Sequence, residues 1–163
     1  VVNLELLSDN LTIIIDELIG IQNIAKYLAY DLKNPLGQPL VKIPAKSLVL
    51  DKIYPYPFDP VVTVEDCSQL RVYYPKSDFK SDAVIGNIEV NFDIVVAKSL
   101  WLINDGLSKS SIRPFMIMKE IVEHFNRNSI KTLGQLDFEG FIHLNVNEKF
   151  GAIRLVSTMT LVG

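Results

Sequence analysis

The side chains able to do chemistry are few and scattered. Cys67, the only cysteine, sits in Val64-Glu65-Asp66-Cys67-Ser68, where two neighbouring carboxylates keep a thiol protonated and work against a nucleophile. It reads as a small apolar residue ahead of a strand. His124, between Glu123 and Phe125 at the end of an amphipathic run, stands where an imidazolium complements a helix dipole. His143 falls on the polar side of an alternating stretch, as a surface or intersubunit residue. The glycines form neither GxGxxG nor GxxxxGKS/T, so no phosphate cradle is expected. The carboxylate pairs Glu65-Asp66, Glu89/Asp93 and Asp137/Glu139 have the types for paired-acid hydrolysis or a divalent cation. The last two pairs, however, fall along strand-like runs on the side expected to meet solvent. No catalytic, cofactor-binding or metal-ligating residue is assigned, and no cofactor.

Composition narrows the classes further. Of 163 residues, 48% are apolar and 21% charged, which fits a single globular domain, 1–163, with an ordinary core. Sixteen Lys plus Arg against nineteen Asp plus Glu leave a formal charge of −3, so there is no general positive field to hold a nucleic-acid backbone. One cysteine excludes an internal disulfide and points to a reducing or neutral setting. No apolar run is long enough to span a bilayer, and the opening Val1-Val2-Asn3 does not read as a signal peptide.

The elements that must position these residues follow from periodicity. Leu11, Ile14, Ile15, Leu18, Ile21, Ile24, Ala25 and Leu28 recur at three- and four-residue spacings, predicting one amphipathic helix over 8–31, capped by Ser8 or Asn10 and tolerating Gly20 in its interior. Residues 33–69 carry six of the eight prolines, and proline removes donors and favours extended neighbours. This stretch is expected as an extended arm, with a short strand at Ser47–Leu50 and polyproline-like backbone from Lys52 to Pro60. Its Tyr54, Tyr56 and Phe58 have no periodicity that seats them in the domain's own core, and they are expected, with Phe79, at a subunit or partner interface.

Beyond Gln69 the pattern is β. Leu70–Tyr74 reads as a strand, 75–85 as a projecting loop, and Ile88, Val90, Phe92, Ile94 and Val96 alternate with Glu89, Asn91 and Asp93, the signature of one buried and one wet face. Pro114 opens a second helix to about Asn126, with Phe115, Met118, Ile121, Val122 and Phe125 as its stripe. A hairpin closes the chain, with Gly140 at a bulge and Gly151 at the exit of the turn. The fold class is α+β: an N-terminal helix, a long extended Pro-rich arm, and an antiparallel sheet of about four main strands packed against two helices.

This layout resembles the tail terminator and related neck or head–tail connector proteins of tailed bacteriophages. The likeness is carried by the helix beginning Asp9-Asn10-Leu11, the long extended insertion and the run Asn87-Ile88-Glu89-Val90-Asn91-Phe92-Asp93-Ile94-Val95-Val96. Trp101-Leu102-Ile103-Asn104-Asp105-Gly106, Arg113-Pro114 and the final hairpin complete it. The resemblance implies a non-enzymatic virion protein, assembled in the host cytoplasm, that forms a hexameric ring. That ring would contact the tail tube on one side and a head-completion or other neck protein on the other, with DNA passing through its lumen without sequence readout. Glu89, Asp93, Asp137 and Glu139 are then the candidates for an acidic wall that repels phosphates. Another neck or completion ring, a small metal-dependent hydrolase, and an adaptor working by strand addition along an exposed edge are the alternatives.

Overall fold

The computed structural model describes residues 3–61, 65–77, 85–104, 106, 109–127, 130 and 133–162. Phe79 and most of the 75–85 loop lie outside the described residues. The chain runs α1 (Glu5–Ile19), α2 (Gln22–Ala29), α3 (Pro44–Leu48), β1 (Ile53–Tyr54), β2 (Ser68–Tyr73), β3 (Ile85–Ala97), β4 (Leu102–Asn104), β5 (Ser110–Ile112), α4 (Arg113–Arg127), β6 (Leu136–Asn145) and β7 (Phe150–Val162). Five strands form a sheet in the order β1-β2-β3-β7-β6, while β4 and β5 pair separately. Only β1 and β2 run parallel; the other pairs are antiparallel. The α+β class with an N-terminal helix and a mainly antiparallel sheet is therefore the observed one. No helix of the described residues is long and apolar enough to cross a membrane.

The apolar side of β3 packs as its alternation requires. Ile88, Val90, Phe92, Ile94 and Val96 are all buried, in one cluster with Ile14 and Leu18 of α1, Ile24 and Leu28 of α2, and Ile117, Ile121 and Phe125 of α4. The Phe92 ring lies 6.2 Å from Phe125 and 6.1 Å from Phe138.

The single helix expected over 8–31 is two. Gly20 is still helical (φ −77°, ψ −10°) but Ile21 is extended (φ −90°, ψ 102°), so the chain turns there and α2 restarts over β2. The helix also begins earlier than Ser8. The Asn3 carboxamide accepts the Glu5 amide at 3.1 Å, which leaves Ser8 and Asn10 inside the first helix. Asn10, buried to 2% exposure, packs under β7 with its Nδ2 4.0 Å from Met159 Sδ.

In the proline-rich arm, the strand expected at Ser47–Leu50 is instead the end of a one-turn helix. Pro44 sits at its first position, where a missing donor costs nothing, and Leu48 is wholly buried. Leu50 takes a left-handed conformation (φ 60°), reversing the chain so that Ile53 can pair with Leu70. Gly140 lies, as its sequence context predicts, at a register shift in β6, with φ 151° open only to glycine. Gly151 is not a turn exit: it lies inside β7 opposite Val96, where a side chain would approach Trp101 Cζ2 to 2.7 Å.

Candidate functional site

The other side of the sheet is where the expected solvated face should lie, and it is largely dry. Asn91 and Asp93 are 3% and 4% exposed; Glu89 is half-buried. The sequence pattern separates polar from apolar residues correctly, but the polar row is covered. Antiparallel register sets Asp93 opposite Arg154 of β7 and opposite Arg71 of β2. Arg154 takes the carboxylate: its Nε donates to Asp93 Oδ1 at 2.8 Å and its Nη2 to Oδ2 at 3.0 Å. The Tyr73 hydroxyl donates to Asp93 Oδ2 at 2.5 Å and accepts from Arg154 Nη2 at 2.8 Å. Burial together with the Asp93 charge pushes the Tyr73 phenol up to about 12, while hydrogen bonding to Asp93 raises the Arg154 guanidinium further above its ordinary value. Both carboxylate oxygens are occupied, so Asp93 is a clamp between three strands and not a base. Within this chain Asp93 is a buried, paired carboxylate, where the alternation had placed it on a wet face.

Arg71 is held differently. Its Nε and Nη2 donate to Gln69 Oε1 at 3.2 and 2.6 Å, and its guanidinium lies 3.6 Å from the centre of the Tyr54 ring and 5.4 Å from those of Tyr56 and Phe58. Three aromatic side chains of the arm thus wrap a cation that is only 7% exposed, and burial lowers its pKa. Phe58 also meets Phe150 ring to ring, tilted, at 5.4 Å, beside the small cluster of Cys67, Val95, Ala97 and Ala152. Tyr54, Tyr56 and Phe58 thus meet a buried arginine of their own chain, which apolar periodicity does not reveal, while Tyr56 stays 49% exposed. Asn147 Nδ2 donates to the Pro60 carbonyl at 3.2 Å, so the arm is strapped across the sheet. Between strap and sheet lies a cleft of about 260 Å³, lined by Pro57, Phe58, Leu144 and Val146 with Asp93 and Arg154 at its floor.

The remaining residues singled out by the sequence fall apart from this clamp. Asp137 and Glu139 are exposed on β6, at the sheet's edge. Cys67 is buried and accepts from Gln69 Nε2 at 3.3 Å. His124 lies 2.8 Å from Glu17, joining α4 to α1. His143 stacks on Trp101 at 5.6 Å. Among the described residues, no three His, Cys, Asp or Glu side chains gather where they would hold a metal ion.

Two roles escaped sequence reasoning. Arg113, noted there only as the residue before Pro114, is fully buried and donates to four backbone carbonyls, those of Leu100, Tyr27, Tyr30 and Leu32. It thereby closes the end of α2 and fixes where the arm departs. The second is the edge position of β6, the first arm of the expected hairpin. That strand is ten residues long and stands at the end of the sheet order. Phe141 and Ile142 are 51% and 53% exposed, although the Phe141 ring meets Phe115 edge-on at 5.4 Å. The signal available was the pair of adjacent apolar residues after Gly140, which breaks the alternation.

Comparison with known proteins gives one family. The YomW family model matches residues 22–159, from the start of α2 into β7, and so includes the arm, the clamp and β6. The name is of Bacillus phage origin, from an SPβ-like prophage, and suggests a phage-derived protein. No curated protein matches the chain.

Proposed function

From the premise that the chain belongs to the YomW family, we propose that it is a structural protein of a phage particle. In this reading it is a subunit of a ring at the neck that closes the tail tube, joins it to the head and lets DNA pass through the lumen. The observation that carries the reading is the edge strand β6. Unpaired strand edges template association, and monomeric proteins blunt them with charge, bulges or short length. The first half of β6 is blunted by Asp137, Glu139 and the bulge at Gly140; its second half, Phe141–Asn145, has no carboxylate, lysine or arginine. Two large apolar side chains stand out from that half. A repeating assembly uses such an edge, whereas a solitary domain is endangered by it.

The partners in this reading are further copies of the chain, a tail tube protein on one side and a head-completion or other connector protein on the other. With Asp93 clamped by Arg154 and Asp137 and Glu139 on the edge strand, Glu89 is the carboxylate of the original four best suited to face a lumen. The net charge of −3 suits a wall along which DNA slides without adhering. Native mass spectrometry and negative-stain images of the purified chain test the proposal: a closed ring, six copies being expected, that caps one end of isolated tail tubes. A chain that stays monomeric at every concentration and ignores tail tubes rules it out.

A further inference from the structure

Among the apolar surfaces that the described residues expose, two are unlike each other. One is the β6 edge, with Phe141 and Ile142. The other is the stretch of arm before α3, where Leu40 and Ile43 are 65% and 59% exposed. This second surface is pinned from behind. Gln22 Oε1 accepts the Val41 amide at 2.8 Å and its Nε2 donates back to the Val41 carbonyl at 3.4 Å, while the Tyr30 hydroxyl donates to the Pro39 carbonyl at 2.9 Å. The side-chain amide thus takes up both backbone groups of Val41 on its inner side and fixes the segment that carries Leu40 and Ile43 outward. Pre-ordering of this kind lowers the entropy cost of association.

The two surfaces lie at opposite ends of the sheet order, the arm running with α2 and α3 toward the β1–β2 end and β6 at the other. Their charges are opposite too. From Leu32 to Leu50 the chain has Lys33, Lys42 and Lys46 and no carboxylate; from Leu136 to Glu148 it has Asp137, Glu139 and Glu148 and no lysine or arginine. Each of these six charged side chains is exposed. Two β6 edges brought together would set acid against acid, and two arms would set lysine against lysine. Arm against β6 satisfies both charge and apolar matching.

We infer that successive copies join head to tail, with the arm segment Pro39–Ile43 and Lys46 of one copy lying along the β6 edge of the next. The inference rests on the ring reading and adds to it the contact that propagates the ring. Because the joined surfaces differ, the contact is heterologous and closes only by rotation into a ring, not by a two-fold axis.

The test reverses charge on one side at a time in the full chain. Variant one carries Lys42→Glu and Lys46→Glu; variant two carries Asp137→Lys and Glu139→Lys. Each alone sets like charges across the contact and should weaken assembly at least about tenfold at low salt. The two mixed together set opposite charges across every contact and should restore it, with alternating composition by native mass spectrometry. As a second measurement independent of these substitutions, Lys42→Cys mixed with Glu139→Cys should give disulfide-linked dimers that neither variant forms alone. Rings of unaltered stability in both charge variants, with no cross-link in the cysteine mixture, overturn this contact while leaving the ring reading standing. A parent chain that never assembles overturns both.

Discussion

Along the middle of β3 and its neighbours in β2 and β7 the sheet is buried on both faces, and by different physics. Under the helices, Ile88, Val90, Phe92, Ile94 and Val96 meet other apolar side chains, and removal of their surface from water stabilises the fold without directional demands. Under the arm, Asp93, Arg154, Tyr73, Gln69 and Arg71 are matched donor to acceptor, with aromatic rings closing over the one cation that has no carboxylate. Such a layer adds little net stability as a set, because desolvation offsets most of what the pairs return, but it loses heavily when one member is removed. An alternating strand pattern therefore reports which side of a sheet is polar. It does not report which side is wet.

The largest expected effects break the first face. Phe92→Ala should cost about 3–5 kcal/mol, the range for emptying a large aromatic site in a core, and should lower the urea midpoint without changing its slope. Arg113→Met is expected to fall in the same range, about 3–5 kcal/mol, because it leaves four backbone carbonyls without their donor. Its pKa is lowered by burial, yet it remains charged at any neutral pH. Should Arg113→Met prove neutral, the closure of α2 rests on packing alone and not on the guanidinium.

The second face is sharpened by a double-mutant cycle. Asp93→Leu or Arg154→Leu alone should cost about 2–4 kcal/mol by stranding the other member of the clamp, whereas the double variant should cost markedly less than the sum. Additivity in that cycle, read from urea unfolding, would mean that each side chain is held by something other than its partner. On the apolar side no pair should behave this way.

How much of this was legible beforehand depends on which kind of burial is asked about. The buried row of β3 and the bulge at Gly140 could be read directly, since period and residue type determine them; of the expected α4 stripe only Ile121 and Phe125 are buried, Ile117 is the wholly buried residue it left out, and Phe115 meets Phe141 instead. The break at Gly20 was hidden because the apolar spacing continues through it, and only the packing of α2 over β2 requires the turn. The strap of Tyr54, Tyr56 and Phe58 was hidden because its core is a guanidinium, and apolar patterns carry no mark for that. Asp93 and Arg154 were both visible as polar residues on one side. What joins them is register between strands 61 residues apart in sequence, which no local window contains.

Alkaline pH separates the faces again. Tyr27, Tyr73 and Tyr74 are each pushed up to about 12 from an ordinary 10, chiefly by burial, and Asp93 adds to the shift at Tyr73. A phenol whose folded pKa is raised contributes stability that is complete below pH 10 and is lost as pH rises through about 12. The urea midpoint should therefore hold to about pH 10 and fall beyond it. Tyr73→Phe, which sacrifices about 1 kcal/mol of hydrogen bonding at neutral pH, should make the alkaline fall shallower. An unchanged slope would place the alkaline transition in the helix-covered layer, with Tyr27 and Tyr74, and not in the clamp.

The smallest effect belongs to the contact that resembles the clamp only in its distance. His124 Nε2 and Glu17 Oε2 are 2.8 Å apart, as close as Arg154 and Asp93, but both their side chains are partly exposed, 23% and 36%, where the clamp pairs a 31% exposed Arg154 with a 6% exposed Asp93. Water screens such a pair, and holding both side chains still consumes most of the remaining attraction, so exposed pairs are worth about 0.2–1 kcal/mol. Glu17→Gln should fall in that range, about 0.2–1 kcal/mol. Asp93→Asn, measured in parallel, should cost more, about 1–3 kcal/mol, and should be nearly indifferent to salt, since screening ions do not reach a buried carboxylate. Equal costs for the two variants, with equal salt dependence, would show that the arm leaves the polar face wet in solution. The clamp would then be an ordinary surface pair, and the difference between the two faces would reduce to the one the alternation first suggested.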